Sequence, residues 1–327
     1  MHLVDPILAI VIFLFGLAFG SFLNVCIYRL PLHAFSDEEL AVRGIERKNL
    51  SIVTPASACP HCKTPIHFYD NVPVLSWLLL GGRCRACHAP ITPRYLVVEV
   101  LTALLFVACY ARFGPNWFTL KFCVFCFLLL GLIFTDAETR LLPDGLTLTG
   151  LGLGLAFSLM VPVDDLSVLL LAAAFPQALH WTMAWRLFSL AGALAGAALG
   201  AGFIWGAGAA YKWARGREGM GFGDVKLMAM VGAFVGVKLT LFTLVGASLV
   251  GALFGLGTVL VVWIKRTQRR QAKHREDART SRRLAWRSAL VLTQHYAVPF
   301  GIFLGGMALV AIFVGDAAMN WYLGLRL

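Results

Sequence analysis

Hydrocarbon, not water, is the solvent that suits most of this chain. The runs Ile7–Ile27, Tyr95–Arg112, Trp117–Thr135, Gly145–Val161, Leu187–Trp213, Leu239–Ile264 and Ser288–Val314 are apolar throughout most of their length. Each approaches or exceeds the roughly 20 residues that a helix needs to cross a bilayer. A shorter run, Val225–Val237, follows a glycine-rich turn. With it, the sequence predicts an all-α polytopic membrane protein of about eight spanning helices. Only 14% of the residues are charged, against about 25% in a soluble domain, which excludes a soluble globular enzyme and a disordered chain alike. The first run does not read as a cleaved signal, since His2 and Asp5 precede it and no A-x-A site follows.

Positive charge orients the spans. With the N-terminus outside, 23 of the 28 Lys and Arg fall on the inner segments Arg29–Arg94, Asp136–Asp144, Lys212–Lys226 and Lys265–Arg287. The net charge of +11 is then a signature of loops facing anionic lipid. Nucleic acid is not an expected partner, because no aromatic-basic platform accompanies the charge. The basic loop Lys265–Arg287 reads as a topology anchor or, more sharply, as a site for anionic lipid or an acidic partner, and residues 163–186 as an interfacial or re-entrant piece. Glycines four apart, at Gly16 and Gly20 and at Gly192, Gly196 and Gly200, suit close helix packing. No internal repeat stands out.

The one sizeable hydrophilic segment, Arg29–Arg94, carries Cys59-x-x-Cys62 and Cys84-x-x-Cys87. Two tight turns offering two thiolates each suit a tetrahedral zinc ion, with rubredoxin-like iron or a redox pair as the alternatives, and in so small a segment a metal could supply the stability that a scant core does not. His61 and His88 adjoin the turns and read as bystanders. Cys123 and Cys126 share the spacing but lie among Phe122, Phe125 and Phe127, so they read as packing, as do Cys26 and Cys109.

Two acids adjoin apolar spans, where a carboxylate is costly and calls for a reason. Asp136 ends the third span, and Asp224 follows Gly219, Gly221 and Gly223. Between Lys121 and Asp136 lie 14 uncharged residues, and between Lys226 and Lys238 lie 11, about 21 and 17 Å of helix. Neither span can place both flanking charges in bulk water. The expectation is that Asp136 and Asp224 meet in a shallow pocket on the inner side. There they would share a proton, activate water and polarise a peptide carbonyl. The plainer alternatives are a helix N-cap for Asp224 and an interfacial carboxylate near Arg140 for Asp136. Asp144 reads as an N-cap, and Glu99 as an interfacial acid or a substrate contact.

These blocks resemble the type IV prepilin peptidase/N-methyltransferase family of GxGD membrane aspartic proteases. The likeness is carried by Phe19-Gly20-Ser21-Phe22-Leu23-Asn24-Val25 with Arg29-Leu30-Pro31, the two cysteine turns, Asp70–Trp77, Pro93-Arg94-Tyr95 with Glu99, Asp136 with Leu142-Pro143-Asp144, and Gly221-Phe222-Gly223-Asp224-Val225-Lys226. The resemblance implies a bacterial inner-membrane enzyme with its active site on the cytoplasmic side. Asp136 and Asp224 would cut the basic leader from type IV prepilins or type II secretion pseudopilins. The new amino terminus would then be methylated with S-adenosylmethionine. It suggests a methyl-donor region near Gly82 and Arg83. The implied organisation is a first helix at 1–28, a cytoplasmic zinc domain at 29–94 and a protease core at 95–327. Competing readings are a peptidase without methylation, and an ion-coupled transporter with a zinc-binding regulatory loop.

Overall fold

The computed structural model describes residues 4–42, 44–54, 56–163, 184–216, 219–274, 283–286, 288 and 299–323. Among these, β-pairing is confined to two isolated bridges, and the rest is helix, turn or loop. The helices are α1 (Pro6–Arg29), α2 (Asp37–Val42), α3 (Leu75–Leu79), α4 (Arg94–Phe113), α5 (Trp117–Thr139), α6 (Asp144–Ser158), α7 (Ala184–Arg215), α8 (Phe222–His274), α9 (Phe300–Val310) and α10 (Asp316–Leu323). Local chemistry starts two of the spans. The Asp5 carboxylate accepts from the Ile7 and Leu8 amides ahead of Pro6, and the Asn116 side chain accepts from Thr119.

Six described helices are long and apolar enough to cross a membrane. The two short predicted spans account for the difference from eight. One is α6, of 15 residues. The other is hidden inside α8, whose backbone leaves helical geometry at Gly236 (φ 76°, ψ −176°). A Cβ added at Gly200 would stand 2.5 Å from the Met228 carbonyl oxygen and 3.2 Å from Thr240 Cγ2. A straight helix would hold those two residues about 18 Å apart. The chain therefore doubles back at Gly236, and its two arms clasp α7. Gly196 lies against Gly232 and Gly236 at the tip. Small residues on both partners let the backbones approach this closely.

The main core joins α5 to the first arm of α8 and to α9, through Phe125, Leu129, Met228, Phe234, Leu304 and Ala308. At one end of the bundle Arg94 pairs with Glu138, and Leu30 abuts Gly145. These contacts gather the end of α1, the start of α4, the end of α5 and the start of α6. At the other end Lys238 holds Asp316 and Asn320, at 3.0 and 2.9 Å. Two expectations change. The basic stretch beginning at Lys265 is no loop at its start, because α8 stays helical through His274. The last span does not run unbroken from Ser288, because a helix starts afresh at Phe300 behind Pro299. The proposed re-entrant piece falls mostly outside the described residues.

Candidate active site and metal centre

Asp136 sits in the last turn of α5. The helix stops just beyond it, where Arg140 turns left-handed (φ 56°) and its amide closes on the Asp136 carbonyl at 3.0 Å. The Asp136 side chain is 5% exposed. Its Oδ2 accepts the Ile302 amide of α9 at 3.0 Å. Asp224 is half-buried in the first turn of α8, where the helix dipole favours negative charge. It is not the N-cap, since the helix begins at Phe222. Gly301 lies between the two acids. A Cβ added there would fall 2.7 Å from Asp136 Oδ2 and 3.5 Å from Asp224 Oδ1. The two oxygens thus lie no more than about 6 Å apart (2.7 plus 3.5 Å), close enough for carboxylates to couple.

The glycines before Asp224 divide their work. Gly219 is pressed on Tyr211 and Gly223 on Leu142, where added Cβ atoms would meet carbon at 2.3 and 3.0 Å. Only Gly221 borders open space. Lys226, two residues on from Asp224, donates to Asp144 at 2.6 Å, tying the two acidic blocks together. Asp144 is therefore not the predicted N-cap. Pro143 holds that position, and the Asp144 carboxylate faces Lys226 instead. Glu99 is covered by protein. It is 7% exposed and accepts the Val74 amide at 2.7 Å.

Gly301 and Ile302 were not legible as site residues. The available signal was Pro299, which breaks the apolar run 288–314 and so sets a new helix start where backbone amides are free. Lys121, at the far end of α5, is buried as its short span required.

The four cysteines Cys59, Cys62, Cys84 and Cys87 converge, with all four sulfurs within 4.8 Å of one another. Cys59 and Cys87 are 3.8 Å apart and Cys62 and Cys84 4.0 Å. That is far beyond a disulfide, but it is the edge of a tetrahedron built on 2.3 Å zinc–sulfur bonds, about 3.8 Å. The donor set fits zinc, and no histidine joins the cluster among the described residues. The two turns are copies of one another, which corrects the expectation of no repeat. Cys59 and Cys84 each donate an amide to the residue five places on (Thr64, Ala89) and accept one from the residue four places on (Lys63, His88). Lys63 and His88 share a left-handed backbone (φ 60° and 56°). Ala58 bridges Pro65, as Arg83 bridges Pro90. The shared Cys-x-x-Cys-x-x-Pro-Ile pattern was present in the sequence.

Hydrogen bonds from Thr64, side chain then backbone, draw the Cys62 thiol down to about 6, and backbone amides of Cys87 and Ala86 lower that of Cys84. Such shifts favour the thiolate form at Cys62 and Cys84, whereas at Cys87, against the lowering by the Ala89 amide, desolvation and hydrogen bonds with the neighbouring sulfurs push the thiol up to about 11. Arg85, inside the second turn, grips Asp70 with two nitrogens at 2.6 and 2.8 Å and holds its carboxyl below the usual range. Gly82 is closed off by the Trp77 indole, 2.8 Å from an added Cβ, whereas Arg83 is exposed. Cys109 and Cys126 meet at 3.8 Å inside the bundle, beside Cys123, as packing residues.

Comparison with known proteins places this arrangement. Residues 14–113 match the bacterial peptidase A24 N-terminal domain, and residues 123–256 the type IV leader peptidase family. A prepilin leader peptidase/N-methyltransferase of Aeromonas hydrophila is 35% identical over 95% of this chain and 92% of its own length. Its counterpart in Aeromonas salmonicida is 36% identical over 95% and 92%. One in Pseudomonas aeruginosa is 36% identical over 74% and 78%. No solved structure shows a significant match. With the acids convergent, the cysteines gathered and the likeness running almost end to end, the chain belongs to the type IV leader peptidase family.

Proposed function

We propose that this protein is a membrane aspartic endopeptidase that removes the leader from type IV prepilins or type II secretion pseudopilins and then N-methylates the new terminus. The observation that carries the peptidase reading is the Gly301 geometry. It brings a carboxyl oxygen of Asp136 and one of Asp224 to 2.7 and 3.5 Å from one point beside Gly301, where no side chain stands. In the reaction, the ionised partner takes a proton from water, which attacks the scissile carbonyl carbon. The protonated partner hydrogen-bonds the carbonyl oxygen. Collapse of the tetrahedral adduct then returns a proton to the departing amine. The Ile302 amide steadies charge on Asp136, and Gly221 leaves room for substrate backbone beside Asp224.

The site lies at the end of the bundle that carries the cysteine segment. We place this end on the cytoplasmic side of the bacterial inner membrane, from the positive charge gathered there. We divide the chain into a first helix at 1–28, a zinc domain at 29–94 and a protease core at 95–327. Cys59, Cys62, Cys84 and Cys87 would hold a structural zinc ion. When bound, S-adenosylmethionine supplies an electrophilic methyl group to the freed amine. Of the two residues near which its site was expected, only Arg83 is free to touch a ligand, by pairing with a carboxylate, because Gly82 is sealed by Trp77. The test is cleavage of a synthetic prepilin in detergent or nanodiscs by the wild type and by Asp136→Asn and Asp224→Asn. Mass spectrometry of the product terminus reads methylation in the same sample. Cutting by the wild type and none by either variant is expected. Ion flux in liposomes without any cleavage would favour the transporter reading instead.

A further inference from the structure

The helix α3 leaves three large apolar side chains uncovered. Leu75, Leu78 and Leu79 are 52%, 58% and 76% exposed. They stand at i, i+3 and i+4, so they share one face. The opposite face is fully employed. Ser76 is buried, its hydroxyl donating to the Tyr69 carbonyl and accepting the Val72 amide. Trp77 covers Gly82 and donates its indole N–H to the Ile91 carbonyl at 3.3 Å. The leucines therefore take no part in holding the cysteine segment together.

The depth of α3 says what surrounds them. Its first residue follows Val74, whose amide is fixed at 2.7 Å to Glu99 of α4. The helix α4 has 20 residues, about 30 Å, which matches the hydrocarbon thickness. Glu99 lies about a turn and a half in from the Arg94 end. Val74, a β-branched residue, stands at φ 62° at this contact, a conformation such residues rarely adopt. So α3 starts at the hydrocarbon margin rather than out in water. On the same stretch of α4, Val97, Leu101 and Leu104 are exposed and lie within the span that faces lipid.

We propose that α3 is an interfacial anchor, with Leu75, Leu78 and Leu79 inserted among the lipid acyl chains at the end of the bundle that carries the cysteine segment. The metal-binding segment then rides on the membrane surface, and is not a soluble module on a tether.

The test uses the full-length protein in nanodiscs of phosphatidylethanolamine and phosphatidylglycerol. A benzophenone amino acid is placed in turn at Leu78, at Leu79 and, as a lipid-facing reference, at Leu104. After irradiation, the intact masses at Leu78 and Leu79 should rise by one phospholipid, as at Leu104. Adducts at Leu104 alone overturn the proposal, and so do adducts at α3 that form only with an added prepilin, which would make this face a substrate site. Hydroxyl-radical footprinting of the unsubstituted protein gives an independent reading. Leu75, Leu78 and Leu79 should be protected in the nanodisc while the exposed Val53 is oxidised. Oxidation of the leucines to the level of Val53 overturns the proposal.

Discussion

The cysteine cluster and the acid pair are built in opposite ways. The cysteine cluster joins residues 22 and 28 positions apart. Two copies of one short turn make it, each closed by its own backbone hydrogen bonds. The acid pair draws on three helices, and the amide that steadies Asp136 is 166 positions away. The geometry of the cysteine cluster is therefore set mainly by its own two turns. A site assembled from remote helices depends on every contact that sets helix against helix. The contrast teaches that the two should fail independently.

The largest effect should come from the acids. Asp136→Asn and Asp224→Asn should each cut prepilin cleavage by about a thousandfold or more, the upper range for losing a general acid or base. Methylation of pre-cut substrate and the zinc content should be kept. A variant that cleaves at the wild-type rate would strike that residue from the pair. Gly301→Ala comes next. It places a methyl group 2.7 Å from Asp136 Oδ2 and should lower kcat about a hundredfold with little change in KM, the scale of a small misplacement at a reacting centre. Unchanged kcat would mean that the two acids do not need the approach seen here.

Removing the metal should break the other half of the contrast. Cys59→Ser, or treatment with a chelator, should lose zinc by atomic absorption and make residues 29–94 sensitive to trypsin, while the spanning helices stay folded. If thermal unfolding of the helices shifts together with the segment, the two units are not independent. The smallest effect should follow Lys226→Ala. Its partner Asp144 is 60% exposed, and such pairs contribute about 0–1 kcal/mol. Melting should barely move and cleavage should fall only a few-fold. A loss as deep as that of Asp224→Asn would put Lys226 inside the machinery.

Much of this was legible beforehand, and the reasons are specific. The two Cys-x-x-Cys turns declare themselves because ligand spacing is a short-range property of the chain. Asp136 and Asp224 stood out because each charge ends a span too short to reach water on both sides. Asp144 was misplaced because its partner, Lys226, comes from elsewhere in the fold, and the Val74 amide that Glu99 accepts lay out of view for the same reason. A capping rule weighs only the residues next along the chain. Gly301 escaped because a glycine in an apolar run looks like packing unless one knows what faces it.

The amino-acid order alone determined that this chain lives in a bilayer, which end gathers positive charge and which thiols can share a metal. Hydropathy, charge and ligand spacing are sums over near neighbours, so they can be read along a string. Tertiary structure decided that the backbone reverses at Gly236, that Gly301 opens the space between the two acids, and that a remote amide supports one of them. Those outcomes turn on how closely distant backbones approach. Such approach is governed by shape in three dimensions, and no local pattern encodes it.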